Sequence, residues 1–283
     1  MSDDYAFEVA SLDVPRSLAP YVLKIEGYAE REMTPISRTE LPSCSVPLIL
    51  VIEDVFVVHD STGGAKRAMD SGFVAGLHKS PVRVDSAGRA AAIQVDLTPL
   101  GARRLLRIDM VHLTDRVVDL EDLLAQKTGR LMSDLRQTDR WTVRFQKVRQ
   151  FLEQHLLTQG HDDPRLHLAC QLVQGSRGTL RVERLATRLD MSRKHLNHLF
   201  KTHIGLSPRE YIRIERFSRV MRNLNARHGQ GDRRLADLAL ACGYADQSHF
   251  NRDFKVFSGA TPRQLCSRML PDGQGILDAS HIR

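Results

Sequence analysis

Two sets of polar side chains in the last third of the sequence are suited to one kind of chemistry. The first is Arg193, Lys194, Asn197, His198 and Lys201; the second is Gln247, Ser248, His249, Asn251, Arg252 and Lys255. Arg and Lys donate hydrogen bonds to guanine edges and to phosphates, and Asn and Gln pair bidentately with adenine, so both sets contain the residue types that read nucleic acid. Lys194, Asn197, His198, Gln247, His249 and Arg252 are expected to reach base edges. Ser192, Arg193, Lys201, Arg209, Ser248, Lys255 and Arg263 are expected to hold phosphates, with helix N-termini contributing. A solvated charged face belongs to any amphipathic helix, so either set alone would carry little weight.

The elements that must position these residues are repeated. Val182, Leu185 and Ala186 recur 53 residues later as Leu235, Leu238 and Ala239. Beyond the turn, Leu196, Phe200, Lys201, Gly205, Pro208 and Arg209 recur 54 residues later as Phe250, Phe254, Lys255, Gly259, Pro262 and Arg263, so the second copy has one extra residue in its turn. A slip confined to a turn marks two copies of one folding unit. In the first copy Val182, Leu185, Ala186 and Leu189 share a helix face, Met191 occupies the turn, and Ser192 is a good N-cap for a second helix that buries Leu196, Leu199 and Phe200. In the second copy Leu235, Leu238, Ala239 and Cys242 form the inner face, Gly243 and Tyr244 the turn, and either Asp246 or Ser248 starts the next helix. Each copy therefore reads as a helix-turn-helix.

At these residues the chain resembles the DNA-binding domain of the AraC-type transcription regulators, over roughly Leu166 to Leu270. The second copy keeps that family's pattern as Gly243, Tyr244, Ser248, Phe250, Arg252, Phe254 and Lys255. The first departs from it at Asp190, where glycine is common, and at His198, where arginine is frequent; Val220 and Asn223 replace the usual alanine and leucine of the linker helix. The resemblance implies two helix-turn-helix subdomains joined by a long helix, here Ser207 to Ala226. It also implies recognition helices in adjacent major grooves of double-stranded DNA, about 34 Å apart. It further implies a cupin-like N-terminal domain for effector binding or dimerisation, and RNA polymerase as a partner.

Charge divides the chain in the same place. Arg165 to Leu270 holds 20 Lys and Arg against 8 Asp and Glu, while the rest holds 21 against 26. A basic segment suited to a polyanion thus follows a mildly acidic one. No run approaches the ~18 apolar residues of a membrane span, and the opening MSDDYAFEVA lacks a basic-then-apolar signal, so no membrane association and a cytoplasmic location are expected. Cys44, Cys170, Cys242 and Cys266 form no C-x-x-C pair, and no zinc site is expected; Cys242 reads as core.

From about Tyr21 to Leu97 short β-branched runs (VLKIEGYAE, VPLILVIED, VFVVHD, SGFVAGLH, SPVRVDS and AAIQVDL) alternate with Gly, Pro, Asp and Ser, a turn signal falling at Asp60 to Gly64. This is the texture of a small β-sandwich or barrel. Catalysis is not expected there: His59 and His78 stand alone where a metal site needs about three clustered ligands, and no nucleophile elbow or phosphate-cradling loop is present, so no cofactor is expected either. If a small molecule binds, the space inside the strands is the default site. Leu50, Ile52, Phe73, Val74 and Ile93 would line it, and Tyr28, Arg83 and Gln94 would supply polar contacts.

Helices follow. Thr98-Pro99 and Asp119 are start signals, and Asp139 to Leu157 carries Trp141, Phe145, Val148, Phe151, Leu152, His155 and Leu156 on one stripe, wide enough to serve its own domain or a homodimer. A boundary is expected around Gly160 to Pro164. The whole reads as an α+β chain, with a regulatory domain over 1–160, a DNA-binding domain over 161–270 and a tail over 271–283 of little expected order. Three functions fit in decreasing order: a DNA-binding regulator with an effector or dimerisation domain, one whose N-terminal domain answers to a partner protein, and an enzyme with a DNA-binding appendage.

Overall fold

The computed structural model of the chain describes residues 7–30, 35–59, 66–158, 163–176, 178–225, 237, 239–266 and 275–277. The expected turn at 60–64, the boundary residues 160–162, Leu235 and Leu238 lie outside them.

The fold is α+β. Its strands are β1 (Phe7–Leu12), β2 (Val22–Glu30), β3 (Ile36–Glu40), β4 (Val46–Glu53), β5 (Phe56–His59), β6 (Lys66–Met69), β7 (Gly72–Ala75), β8 (Val82–Ser86), β9 (Ala91–Leu97), β10 (Val117–Asp119) and β11 (Gly275–Leu277). They form two antiparallel sheets, one ordered β1-β2-β9-β4-β7-β10 and the other β11-β3-β8-β5-β6. Helices α1 (Pro99–Leu106), α2 (Leu120–Arg136) and α3 (Trp141–Leu156) follow the strands. The two helix starts lie where the sequence places them: the Thr98 hydroxyl accepts from the Gly101 N–H at 3.0 Å, and the Asp119 carboxylate from the Glu121 N–H at 2.8 Å.

The six-stranded sheet is covered on both faces, which is why β4 reads as an unbroken apolar run. On one face Ile49, Val51, Phe73 and Ala92 meet Phe56, Val58, Met69 and Val82 of the other sheet. On the opposite face Leu48, Leu50, Val74, Ile93 and Val95 join the cluster built with Leu105, Leu131, Leu135, Phe145, Val148 and Leu152 of the helices. Strand side chains alternate, so the expected lining is corrected accordingly. Leu50, Ile52, Val74 and Ile93 belong to the helix-side cluster, and of the five apolar candidates only Phe73 faces the space between the sheets. That space is filled by an edge-to-face series in which Phe56 meets Tyr28 at 6.1 Å and Phe73 at 6.3 Å. Of the polar candidates, Tyr28 packs here, Arg83 is exposed and bonded to Asp85, and Gln94 donates to Asp96 at 2.9 Å.

One polar node, invisible in the sequence, closes this interior. Buried Glu30 accepts from Arg38 at 2.6 Å, from the Ser86 hydroxyl at 2.7 Å and from the Ala90 N–H at 3.0 Å, while Arg38 lies over the Tyr28 ring at 4.9 Å. A buried carboxylate with three donors is satisfied in place, and it binds β2, β3 and β8 together.

The α3 stripe is consumed within the chain. Phe145, Val148, Phe151, Leu152 and Leu156 are buried in its own core, and Trp141 donates from its indole to Glu8 at 2.8 Å. The reading of that stripe as a surface shared with a second copy is corrected on this ground.

The C-terminal part comprises α4 (Pro164–Gly175), α5 (Val182–Arg188), α6 (Arg193–His203), α7 (Pro208–Asn225), α8 (described at 237 and 239–241), α9 (Gln247–Ser258) and α10 (Pro262–Cys266). The two parts do not have separate cores: one apolar cluster runs from Leu18 and Leu97 through Leu156 and Leu166 to Phe200 and Phe254. Polar contacts cross the same boundary. The Thr114 hydroxyl donates to the Gly205 carbonyl at 2.7 Å, the Cys44 thiol to the Tyr211 carbonyl at 3.6 Å, and the Ser218 hydroxyl to the Pro42 carbonyl at 3.5 Å. Gly205 has φ +96°, and a Cβ there would lie 2.6 Å from the Thr114 hydroxyl, so glycine serves both the helix end and the docking. Within the tail expected to lack order, Gly275–Leu277 pairs as β11 with β3, in the register Gly275↔Glu40 to Leu277↔Arg38.

Candidate nucleic-acid interface

The duplication seen in the sequence recurs bond for bond. In the first unit the turn is closed by the Asp190 N–H on the Thr187 carbonyl at 3.2 Å and the Met191 N–H on Ala186 at 3.0 Å; in the second, by Gly243 on Leu240 and Tyr244 on Ala239, both at 3.0 Å. Asp190 and Gly243 both have positive φ, 52° and 86°. The aspartate thus stands in a left-handed position for the same geometric reason that favours glycine there. Ser192 then caps α6 by accepting from the His195 N–H at 3.2 Å, and Asp246 caps α9 by accepting from His249 at 2.7 Å. Of the two starts left open by the sequence, Asp246 is the one used. The offset passes from 53 at Tyr244 to 54 at Asp246, which makes Ala245 the extra residue.

The shared ending also has a cause. Ser207 and Glu210 exchange bonds, the Ser207 N–H to the carboxylate at 2.9 Å and the Glu210 N–H to the hydroxyl at 3.3 Å. Thr261 and Gln264 repeat the exchange at 3.0 and 3.4 Å. Each is a capping box with a proline inside it, in the first helical position. Partial burial works against the charge of Glu210, but the bonds from Ser207, with Lys79 and Lys201 nearby, hold its carboxyl below the ordinary value.

Both second helices turn their apolar side inward and leave the opposite side free. In α6, Leu196 and Phe200 are buried, Arg193, Lys194, His198 and Lys201 are exposed, and Asn197 is half-buried. In α9, Phe250, Phe254 and Phe257 are buried, and Gln247, Ser248, Asn251, Arg252 and Lys255 are exposed. At the 54-residue offset Lys194, Asn197, His198 and Lys201 correspond to Ser248, Asn251, Arg252 and Lys255. Lys201 and Lys255 also lie in the last turns of their helices, where the macrodipole favours a cation.

His249 departs from the expectation for a base reader. Its ring meets the Tyr244 ring edge-on at 5.2 Å, its Nε2 lies 3.6 Å from Asp253, and its equivalent in the first copy is His195. Asn251 takes the outward place beside Arg252 instead, a correspondence that the 54-residue subtraction already contains. Arg209 is exposed at the start of α7; Arg193 makes a surface pair with Glu183 at 3.2 Å; the side chain of Arg263 lies outside the described residues. Cys242 is buried, as its helix face implies. Among the described residues no group of three or more His, Cys, Asp or Glu is arranged to hold a metal, and no helix is long and apolar enough to cross a membrane.

Comparison with known proteins bears on this part of the chain. Residues 185–268 match a family model described as a helix-turn-helix domain. The HTH-type transcriptional activator RhaS of Escherichia fergusonii is 29% identical over 128 residues, 44% of each chain. The HTH-type transcriptional regulator ArgR of Pseudomonas aeruginosa is 26% identical over 106 residues, 37% of this chain and 31% of its own. The chain thus matches less than half the length of these curated relatives. Among solved structures, ToxT from Vibrio cholerae aligns over 93% of this chain and 98% of its own, with a TM-score of 0.48 and 13% identity.

Proposed function

We propose that this chain, whose residues 185–268 match a helix-turn-helix family model, is a sequence-specific DNA-binding transcription regulator of the AraC type. Its two recognition helices α6 and α9 enter adjacent major-groove segments on one face of the duplex. The observation that carries this reading is the pair of equivalent outward faces, Lys194, Asn197, His198 and Lys201 against Ser248, Asn251, Arg252 and Lys255, on two units with the same caps and turns. Lys194, Asn197 and His198 read bases in one box, and Gln247, Asn251 and Arg252 in the other. Ser192, Arg193, Lys201, Arg209, Ser248, Lys255 and Arg263 hold phosphates.

Residues 1–160 form the regulatory part, which takes a small-molecule effector or pairs two chains, and RNA polymerase is the partner through which bound protein acts. A second reading gives the regulatory part a partner protein instead. The filling of the space between the sheets by Tyr28, Phe56 and Phe73 favours it. A thermal-shift screen of the full chain against small metabolites separates the two, because a tight ligand raises the melting temperature by mass action.

The test of the main reading is selection from random duplexes at physiological salt, followed by sequencing of what is retained. Two short boxes about one helical turn apart are the expected result. Retention without enrichment would mean that the basic domain binds DNA without reading it.

A further inference from the structure

Helix α7 carries two arginines one turn apart that reach different subdomains. Arg216 donates from Nε and Nη2 to the Gly178 carbonyl at 2.9 and 2.7 Å, in the loop before α5, and lies over the Tyr244 ring of the second turn at 5.2 Å. Arg213 donates to Asp253 of α9 at 2.7 Å and lies over the Phe257 ring at 5.2 Å. Asp253 is buried, and it directly follows the outward residues Asn251 and Arg252. Its other carboxylate oxygen faces His249 at 3.6 Å. Beneath this layer Phe217 packs on Phe254 and Phe257 at 5.3 and 5.2 Å. Of these groups, Arg213, Arg216, His249, Arg252 and Asp253 line an open cleft of about 850 Å³, whose other side is formed by Leu180 to Glu183 of the first subdomain.

The two kinds of contact do different things. Ring packing holds α9 close to α7, with geometric preferences broader than those of a hydrogen bond. A charge-assisted hydrogen bond has a direction. The Arg213–Asp253 bond therefore sets the rotation of α9 about its own axis, while the Arg216 fork ties the same linker helix to the first subdomain. Rotation of α9 decides where Asn251 and Arg252 point relative to Lys194 and His198.

We propose that Asp253, gripped by Arg213, is a positioning residue that fixes the spacing between the two DNA boxes this chain accepts. The inference rests on the DNA-reading function proposed above and adds the element that measures the distance. One extra base pair between the boxes turns the second groove by roughly 34° and moves it by about 3.4 Å. A rigidly held α9 cannot follow such a change, whereas a loosened one can.

The experiment uses the full chain and the duplex it selects, then a series with the boxes moved apart or together by one and two base pairs. The wild-type chain is expected to prefer one spacing by about tenfold or more in Kd. In Asp253→Asn and in Arg213→Gln that preference falls to about threefold or less, with base preference inside each box unchanged, and the double variant loses no more than either single one. An unchanged spacing preference in either variant overturns the inference, as does a loss confined to base preference in the second box, or losses that add in the double variant. Should Asp253→Asn fail to melt cooperatively, Asp253→Glu keeps the charge on a longer arm and should shift or flatten the preference; an unchanged series there also overturns it. A wild-type chain that selects no box defeats the regulator reading and this inference with it, while boxes with unchanged spacing behaviour defeat the inference alone.

Discussion

Arg252 and His249 lie three residues apart on α9 and meet different fates. Arg252 is exposed on the side opposite Phe250 and Phe254, whereas His249 is held against Tyr244 and Asp253. Arg252→Ala should weaken binding to the selected duplex by about 1–3 kcal/mol and relax preference at one base position. Asn251→Ala should likewise change the selected box, and His249→Ala should not; sequencing of selected pools checks all three. Asp190 offers a test of the first turn. With φ at 52°, Asp190→Ala should lower stability by about 1 kcal/mol, because a Cβ without a local polar partner is disfavoured in that region, while Asp190→Gly should cost nothing measurable in a denaturant titration. The residue types alone placed the outward faces well. His249 is a border residue on a helical projection, which assigns it to either side, and its contacts with Tyr244 and Asp253 are not legible in the sequence.

At the scale of the element, the capping boxes explain why both units end in Gly-x-(Ser/Thr)-Pro-Arg. Ser207→Ala should destabilise the chain by about 1 kcal/mol at pH 7. The pH dependence follows from the depressed carboxyl of Glu210. Stability gained from a lowered folded-state value is present above the unfolded value, near ~4.3, and is lost as pH falls through the folded one. The effect of Ser207→Ala should therefore shrink by pH 3, as urea melts of both proteins would show. Lys201→Ala and Lys255→Ala act on a different quantity: each should reduce the slope of log binding constant against log salt by about 0.9 while leaving the selected boxes alone. The helical elements were legible because caps and a 3.6-residue period leave a local signature. The strands were legible only where β-branched runs mark them. β3 and β6 are short and largely polar, β10 and β11 have three residues each, and β1 lies before the β-branched runs, so none of these has a clear signature; the lining of the sheet interior is not legible because β4 and β9 are apolar on both faces and alternation cannot say which face meets which layer.

For the whole molecule, the docking of the strand-rich part on α6 and α7 matters more than the short boundary that joins them. Thr114, on the turn after the 3-10 segment Met110–His112, bonds the Gly205 carbonyl just beyond the end of α6. Thr114→Val should leave both parts folded but speed amide hydrogen exchange around 110–114 and 204–211, since one directional contact across the boundary is lost. Gly205→Ala should be far more damaging, by about 2 kcal/mol or more, because positive φ and the close hydroxyl act together. The strand β11 adds a consequence for how the chain is made. Its partner residue Glu40 precedes Gly275 by 235 positions. On a ribosome working at about 5–20 residues per second, the β3 edge waits on the order of tens of seconds for its neighbour. Through that interval the outer edge of β3 keeps unpaired backbone N–H and C=O groups, the kind of edge on which another nascent chain can add a strand.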